Sequence, residues 1–327
     1  MNNTGIRSQL FAAALGCLVV LAPAAALGQY PTRPIKLLNG FPPGGPTEII
    51  GHVVAQRISA GVGQPVVVED RVGAAGTVAA EAAAKATGDG YTLLLATTGM
   101  LASAPALYRN LAYDPVKSFE PISLLAAAPF VVLVSATVPA NSLRELIELA
   151  KAKPRSLNYG SGGIGNPLHI AGEMFNMAAG VQLFHVPYKG VGLLVPDMVT
   201  GRIQLVFDVM APYYSQIQNG KIKVLAVAGP ARLPQLPAVP TTAESGLPGY
   251  EVSVWFCLLA PKGTPADIVK RLNAEVQAAL AVKEVKASFV KLGFEPQGST
   301  PEQLSARIRE DGAKWSRAVK ASGAKLE

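Results

Sequence analysis

Two glycine-rich turns carry the residues best suited to hold an anion. Phe41-Pro42-Pro43-Gly44-Gly45-Pro46 follows the apolar run Ile35 to Leu38, and Ser161-Gly162-Gly163-Ile164-Gly165-Asn166 follows Leu157-Asn158-Tyr159. Each turn joins a strand-like run to a helix-like run. A turn of this kind offers unpaired backbone N–H groups and the positive end of a helix dipole. Ser161 adds a hydroxyl and Asn166 a side-chain amide. Two such turns on separate lobes would grip one small anion between them.

Catalytic and cofactor chemistries fare worse. Gly160, Gly162 and Gly165 satisfy G-x-G-x-x-G, but a dinucleotide site needs an acid about 20 residues on, where this chain has Leu183-Phe184-His185-Val186-Pro187. No Gly-Lys-Ser/Thr follows, so the loop is no phosphate-binding P-loop. Tyr159 stands two residues before Ser161, where a nucleophile elbow needs glycine. His52, His169 and His185 lack zinc-ligand spacing, and His52 and His169 read as packing or surface residues, so neither metal nor cofactor is expected. Asp208 closes the apolar run Leu205-Val206-Phe207, where a parallel strand presents a ligand-binding residue or a cap for the next helix. Tyr188 and Lys189 follow the strand-like Phe184–Val186 and reach the same rim.

The elements that position these residues alternate between strand-like and helix-like, which predicts a parallel α/β architecture. Strands are predicted at Ile35–Leu38, Val66–Glu69, Tyr91–Ala96, Pro129–Val134, Leu157–Tyr159, Ile203–Phe207, Ile222–Ala228 and Ser253–Ala260. Helices fall between them. Ser142 with Glu145, and Thr300 with Gln303, have capping-box spacing. Ile268, Leu272, Val276 and Leu280 form one buried helical stripe. The apolar strands at 129–135 and 253–260 read as crossovers, making 29–128 with 261–327 one lobe and 136–252 the other. A cleft at such a hinge is where ligands bind.

Composition fits that architecture. At 327 residues the chain exceeds the roughly 250–300 at which single cores stop growing. Half its residues are hydrophobic and 16% charged, which excludes an intrinsically disordered chain. Arg7, an apolar run from Leu10 to Leu27 and small residues up to Gly28 read as a cleavable signal peptide over residues 1–28, so export to the periplasm is expected. Its removal leaves Cys257 alone, without a disulfide partner. The net charge of +7 comes without a dense basic block carrying interleaved aromatics, so nucleic acid is not an expected partner. A mildly basic exported protein favours anionic ligands.

Several segments together resemble one family. Tyr30-Pro-Thr-Arg-Pro-Ile35, Phe41-Pro-Pro-Gly-Gly45, Asp89-Gly-Tyr-Thr92, Tyr159-Gly-Ser-Gly-Gly-Ile-Gly165, His185-Val-Pro-Tyr-Lys-Gly190 and Ala260-Pro-Lys-Gly-Thr-Pro265 are similar, in order, to Bug-type receptors. Those are the extracytoplasmic substrate-binding proteins of tripartite tricarboxylate transporters. The resemblance implies a two-lobed Venus-flytrap fold, not an enzyme. It implies a protein that binds a small organic carboxylate between the lobes and delivers it to integral membrane transporter subunits; a monomer is expected. Carried over by motif, the ligand-binding residues are Phe41, Gly44 and Gly45 from one lobe and Ser161, Gly165, Tyr188 and Asp208 from the other. Thr98 follows from position, and Asn166 replaces the family's usual small hydroxyl residue. Glu48 and His52 stand where the family usually has Asp and often has Arg. The alternatives are an exported ligand sensor for a membrane kinase and an exported serine hydrolase using Ser161.

Overall fold

A computed structural model describes residues 30–41, 43, 46–108, 110–188, 193–291 and 293–322. The expected signal peptide, Gly44, Gly45 and Lys189 lie outside the described residues. The chain begins with β1 (Ile35–Asn39), α1 (Pro46–Val62), β2 (Val66–Asp70), α2 (Thr77–Ala84), β3 (Thr92–Thr97), a π-helical turn at Gly99–Ser103, α3 (Ala104–Leu107) and β4 (Phe119–Pro129). A middle stretch holds β5 (Val131–Ser135), α4 (Leu143–Ala152), β6 (Asn158–Ser161), α5 (Pro167–Ala179) and β7 (Phe184–Pro187). It continues through α6 (Leu194–Val199), β8 (Leu205–Asp208), α7 (Tyr214–Gln218) and β9 (Ile222–Val227). The chain then returns through β10 (Ser253–Pro261), α8 (Ala266–Ala281), α9 (Lys283–Lys291), β11 (Glu295–Pro296) and α10 (Pro301–Ser322).

Two sheets result, ordered β11-β4-β10-β3-β1-β2 and β7-β6-β8-β5-β9. They are mixed rather than purely parallel. β1 runs parallel to β2 and β3, and β6 to β7 and β8, whereas β10 is antiparallel to β3 and β4, and β5 to β8 and β9. The cause is connectivity. β4 leads out of the first sheet at Phe130 and β10 leads back in after Val252, so these neighbours must point opposite ways. At the crossing, Phe130 N donates to Val252 O at 2.8 Å, Ala228 N to Phe130 O at 2.8 Å, and Val252 N to Ala228 O at 2.9 Å. β5 belongs wholly to the second sheet and β10 to the first, so the chain changes sheet at the leading ends of the two expected crossover segments.

The first sheet is covered on both faces. Along β3, Leu93 and Leu95 join one apolar core while Leu94 and Ala96 join another. Along β10, Trp255, Cys257 and Leu259 alternate with Phe256, Leu258 and Ala260 in the same way. This is the two-residue period of a strand buried on both sides. Helices α1 and α8 pack together on one face, with α8 against β4; α2 and α10 cover the other. Leu272, Val276 and Leu280 of the α8 stripe are buried, and Ile268 packs at its edge. In the second sheet, α5 packs on β6 and β8.

Both predicted caps close, the second as a reciprocal pair. Ser142 Oγ accepts from Glu145 N at 3.2 Å, with Glu145 Oε2 accepting from Asn141 N at 2.7 Å. Thr300 Oγ1 accepts from Gln303 N at 3.2 Å and Gln303 Oε1 from Thr300 N at 2.9 Å. Cys257 sits in the interior strand β10, fully buried, opposite Ala96 and Leu124, and burial pushes its thiol well up.

Candidate functional site

A cavity of about 770 Å³ opens where the two sheets face each other. From the first sheet's side come Phe41 and Thr47 of the first glycine turn and the helix after it, Thr97 to Gly99 at the end of β3, and Tyr108 after α3. From the second come Gly162, Gly165, Asn166 and Leu168 around the start of α5, and Asp208 and Val209 at the end of β8. Phe130 at the crossing and Val254 to Phe256 of β10 close the back. Strand ends and helix starts of both sheets therefore converge on one space, as ligand sites in open α/β sheets do.

The first turn is anchored by a residue the motif search passed over. Asn39, fully buried at the end of β1, donates from Nδ2 to Phe41 O at 3.0 Å and to Asp70 Oδ1 at 2.9 Å. An Asn closing an apolar strand just before a glycine turn is the signal that points to it. Beside this turn, Ala74 and Ala75 hold φ of 44° and 55° in the left-handed region, and Ala75 lines the cavity. That backbone costs alanine about 1–2 kcal/mol per residue. It brings Gly76 against Gly40, where a Cβ would stand 2.6 Å from Gly76 Cα.

On the second turn, Asn166 is the N-cap of α5, its Oδ1 accepting from Leu168 N at 2.9 Å. The helix cap and the cavity wall are thus the same residue. Its carbonyl oxygen is spent on the helix, which leaves the Nδ2 donors as its polar contribution to the cavity. Gly165, at φ 76°, donates its N–H to Nδ1 of His169 at 3.0 Å. Ser161 is fully buried and outside the cavity wall, its Oγ 2.7 Å from Nε2 of His185 and bonded to Gly163 O at 2.9 Å. A buried serine without access to the cavity cannot attack a bound carbonyl, whatever its histidine partner. His169 and His185 stack on each other behind the turn, and Tyr159 packs beside them. Burial, then the neighbouring His169, pushes His185 down to about 4; burial also lowers His169, opposed by Glu173. Both imidazoles are neutral at neutral pH.

Of the residues expected to meet a ligand, Phe41, Thr98, Gly165, Asn166 and Asp208 share the cavity wall, and Ser161 and Tyr188 do not. Tyr188 donates its phenol to Asp197 Oδ2 at 2.5 Å; burial first, then that bond, raises it to about 12. Thr98 Oγ1 accepts from Trp255 N at 2.8 Å and donates to Trp255 O at 3.3 Å. Asp208 accepts from Val209 N at 2.7 Å and from the Tyr213 hydroxyl at 3.1 Å. Burial raises its carboxyl to about 7 despite both bonds. Among the described residues, the wall contains no lysine, arginine or histidine. Among them, too, no group of three or more His, Cys, Asp or Glu could hold a metal ion, and no helix of the described residues is long and apolar enough to cross a membrane.

Known proteins are similar to this chain in sequence and fold. Residues 50–324 match the protein family described as "Tripartite tricarboxylate transporter family receptor" (TctC). Protein BugT of Bordetella pertussis is 35% identical over 309 residues, 94% of either chain. The structure of R. palustris Rpa4515 with adipate has a TM-score of 0.79 and 36% identity, covering 91% of this chain and 100% of that one. MatC from Rhodopseudomonas palustris with bound malate has a TM-score of 0.75 and 32% identity, covering 89% of this chain and 100% of that one.

Proposed function

This chain belongs to the tripartite tricarboxylate transporter receptor family, and from that premise we propose that it binds a small organic carboxylate between its lobes and delivers it to an integral membrane transporter. The family is one of solute receptors rather than enzymes, and the two-lobed α/β fold is that of its solved members. The observation that carries the proposal is a cavity lined by residues from both sheets, with the start of α5 in its wall. Adipate in one solved relative and malate in another support a carboxylate as the cargo.

The wall supports a way of holding and releasing an anion. Neutral donors and a helix N-terminus stabilise a carboxylate without a buried opposite charge that would itself have to be desolvated. In the proposed division, 29–128 with 261–327 form one lobe and 136–252 the other, and 129–135 and 253–260 form the hinge. Gly44, Gly45 and Tyr188 complete the ligand contacts when the lobes close, and Ser161 shapes the second turn from behind. Ligand preference for the closed state biases closure, and the membrane subunits read it. The signal peptide over 1–28 delivers the chain, as a monomer, to the periplasm.

The test is thermal unfolding of the purified protein, first unfolded and refolded to strip carried ligand, against mono-, di- and tricarboxylates and matched neutral amides. Stabilisation by a carboxylate that grows with its concentration is expected. A response to neutral solutes alone ends the carboxylate reading. Retention of the loaded protein by membranes containing the transporter subunits, but not by membranes containing a sensor kinase, is the expected partner result.

A further inference from the structure

We infer that the cavity is built for a monocarboxylate with an aromatic body, rather than for a compact polar di- or tricarboxylate; this rests on the receptor reading above. Its wall is aromatic on several sides: Phe41 from the first turn, Tyr108 after α3, Phe130 at the crossing, Phe256 in β10 and Phe294 before β11. Leu107, Ile164, Leu168, Val209 and Val254 fill the intervals. Flat apolar walls of this kind reward a ring through burial and edge or face contacts.

The polar side chains in the wall are few, and several are already engaged. Thr97 Oγ1 accepts from Met100 N at 3.4 Å, and Ser103 Oγ donates to Gly99 O at 3.0 Å. Thr98 is tied to Trp255 in both directions, and the oxygen of Asn166 to Leu168. What remains at side chains on the described wall is the amide N–H groups of Asn166 and the hydroxyls of Thr47 and Tyr108, a donor set that suits one carboxylate better than several. The five oxygens of malate, or the seven of citrate, ask for more partners than this set offers, at a cost of roughly 1–3 kcal/mol for each oxygen left unpaired in the apolar space.

Asp208 works in the same direction. It stands in the wall with two neutral donors as partners and no cation, so its ionised form opposes any second carboxylate brought into the cavity. A single carboxylate at the start of α5, with the ring towards Phe130 and Phe256, keeps the one negative charge away from that strand end.

The test is titration calorimetry of the refolded protein with benzoate, phenylacetate, 3-phenylpropanoate, terephthalate, adipate, malate, citrate and benzamide near neutral pH. At least one aromatic monocarboxylate is expected to bind about tenfold or more tighter than malate, citrate and adipate, with terephthalate weaker than benzoate. Malate, citrate or adipate binding as tightly as every aromatic monocarboxylate overturns the inference and leaves the receptor reading standing. Benzamide matching benzoate removes the carboxylate reading itself. Asp208→Asn is expected to narrow the gap between benzoate and terephthalate, and an unchanged gap in a folded variant removes Asp208 as its source. Should the variant not fold, the unaltered protein gives the same answer: the gap must narrow as pH falls below about 7 and Asp208 takes up a proton.

Discussion

The imidazoles of His169 and His185 lie 3.9 Å apart between centroids and within 15° of parallel, directly behind the second glycine turn. One receives the N–H of Gly165 and the other meets the hydroxyl of Ser161. Two rings that close cannot both be charged, and Nδ1 of His169 can accept from Gly165 only while it is unprotonated. The shape of the turn is therefore tied to the neutrality of the pair.

Stability should follow that neutrality. Both histidines are neutral when folded and take up protons when unfolded, since burial lowers them from 6.5, His185 to about 4. The unfolded chain then binds more protons, so this contribution is complete above about pH 6.5 and is lost as pH falls towards about 4. His185→Gln, which keeps a donor for Ser161, should flatten that loss in urea unfolding measured across the window. A variant with the unaltered acid slope would show that the pair does not titrate on unfolding.

Asp208 is expected to act with the opposite sign. Burial raises its carboxyl from 3.8 to about 7, so the folded protein holds a proton that the unfolded chain has released. Its contribution is present below about pH 3.8 and is lost as pH rises through about 7. Asp208→Asn removes that slope and leaves the histidine slope exposed. The variant should lose more stability than the parent between neutral and mildly acid pH in the same unfolding measurement.

Thr98→Val tests whether the hydroxyl belongs to the fold. Its Oγ1 is committed to both backbone groups of Trp255, across a strand end buried from solvent. Losing it should cost about 1–3 kcal/mol in denaturant unfolding, because the Trp255 amide is left buried without a partner. A loss of affinity without a loss of stability would assign the hydroxyl to the ligand instead.

Two glycines in helices should respond in opposite ways. A Cβ at Gly172 of α5 would lie 2.2 Å from the Tyr159 ring, so Gly172→Ala should cost about 1–3 kcal/mol through overpacking. At Gly312 of α10 a Cβ meets nothing within 4 Å, and Gly312→Ala should stabilise by about 0.5–1 kcal/mol. Thermal midpoints measured side by side check both.

Local chemistry made much of this legible in advance. Ser142 with Glu145 and Thr300 with Gln303 marked helix starts because caps are decided within four residues. The strand before each glycine turn was equally plain. β4 was not: Phe119–Pro129 contains two prolines and no alternation, since it is covered on both faces and its partners are β10 and β11, far along the chain. The antiparallel returns follow from the path between sheets, which no local pattern encodes. The site divides in the same way. Asn166 was readable as a polar residue at a helix start. The meeting of Ser161 with His185, and of Gly165 with His169, arises from packing β6, β7 and α5 together. The aromatic wall needs Phe41, Phe130 and Phe256 from three distant segments, and only the folded chain joins them.

The thiol of Cys257, the only cysteine among the described residues, has a use that follows from its place. It lies between β3 and β4 in the strand that forms the back of the cavity, and burial keeps it protonated and unreactive. A thiol reagent reaches it only when that sheet parts. Its rate of modification is therefore a clock for rare excursions of β10, ticking more slowly when an occupied cavity holds the strand in place.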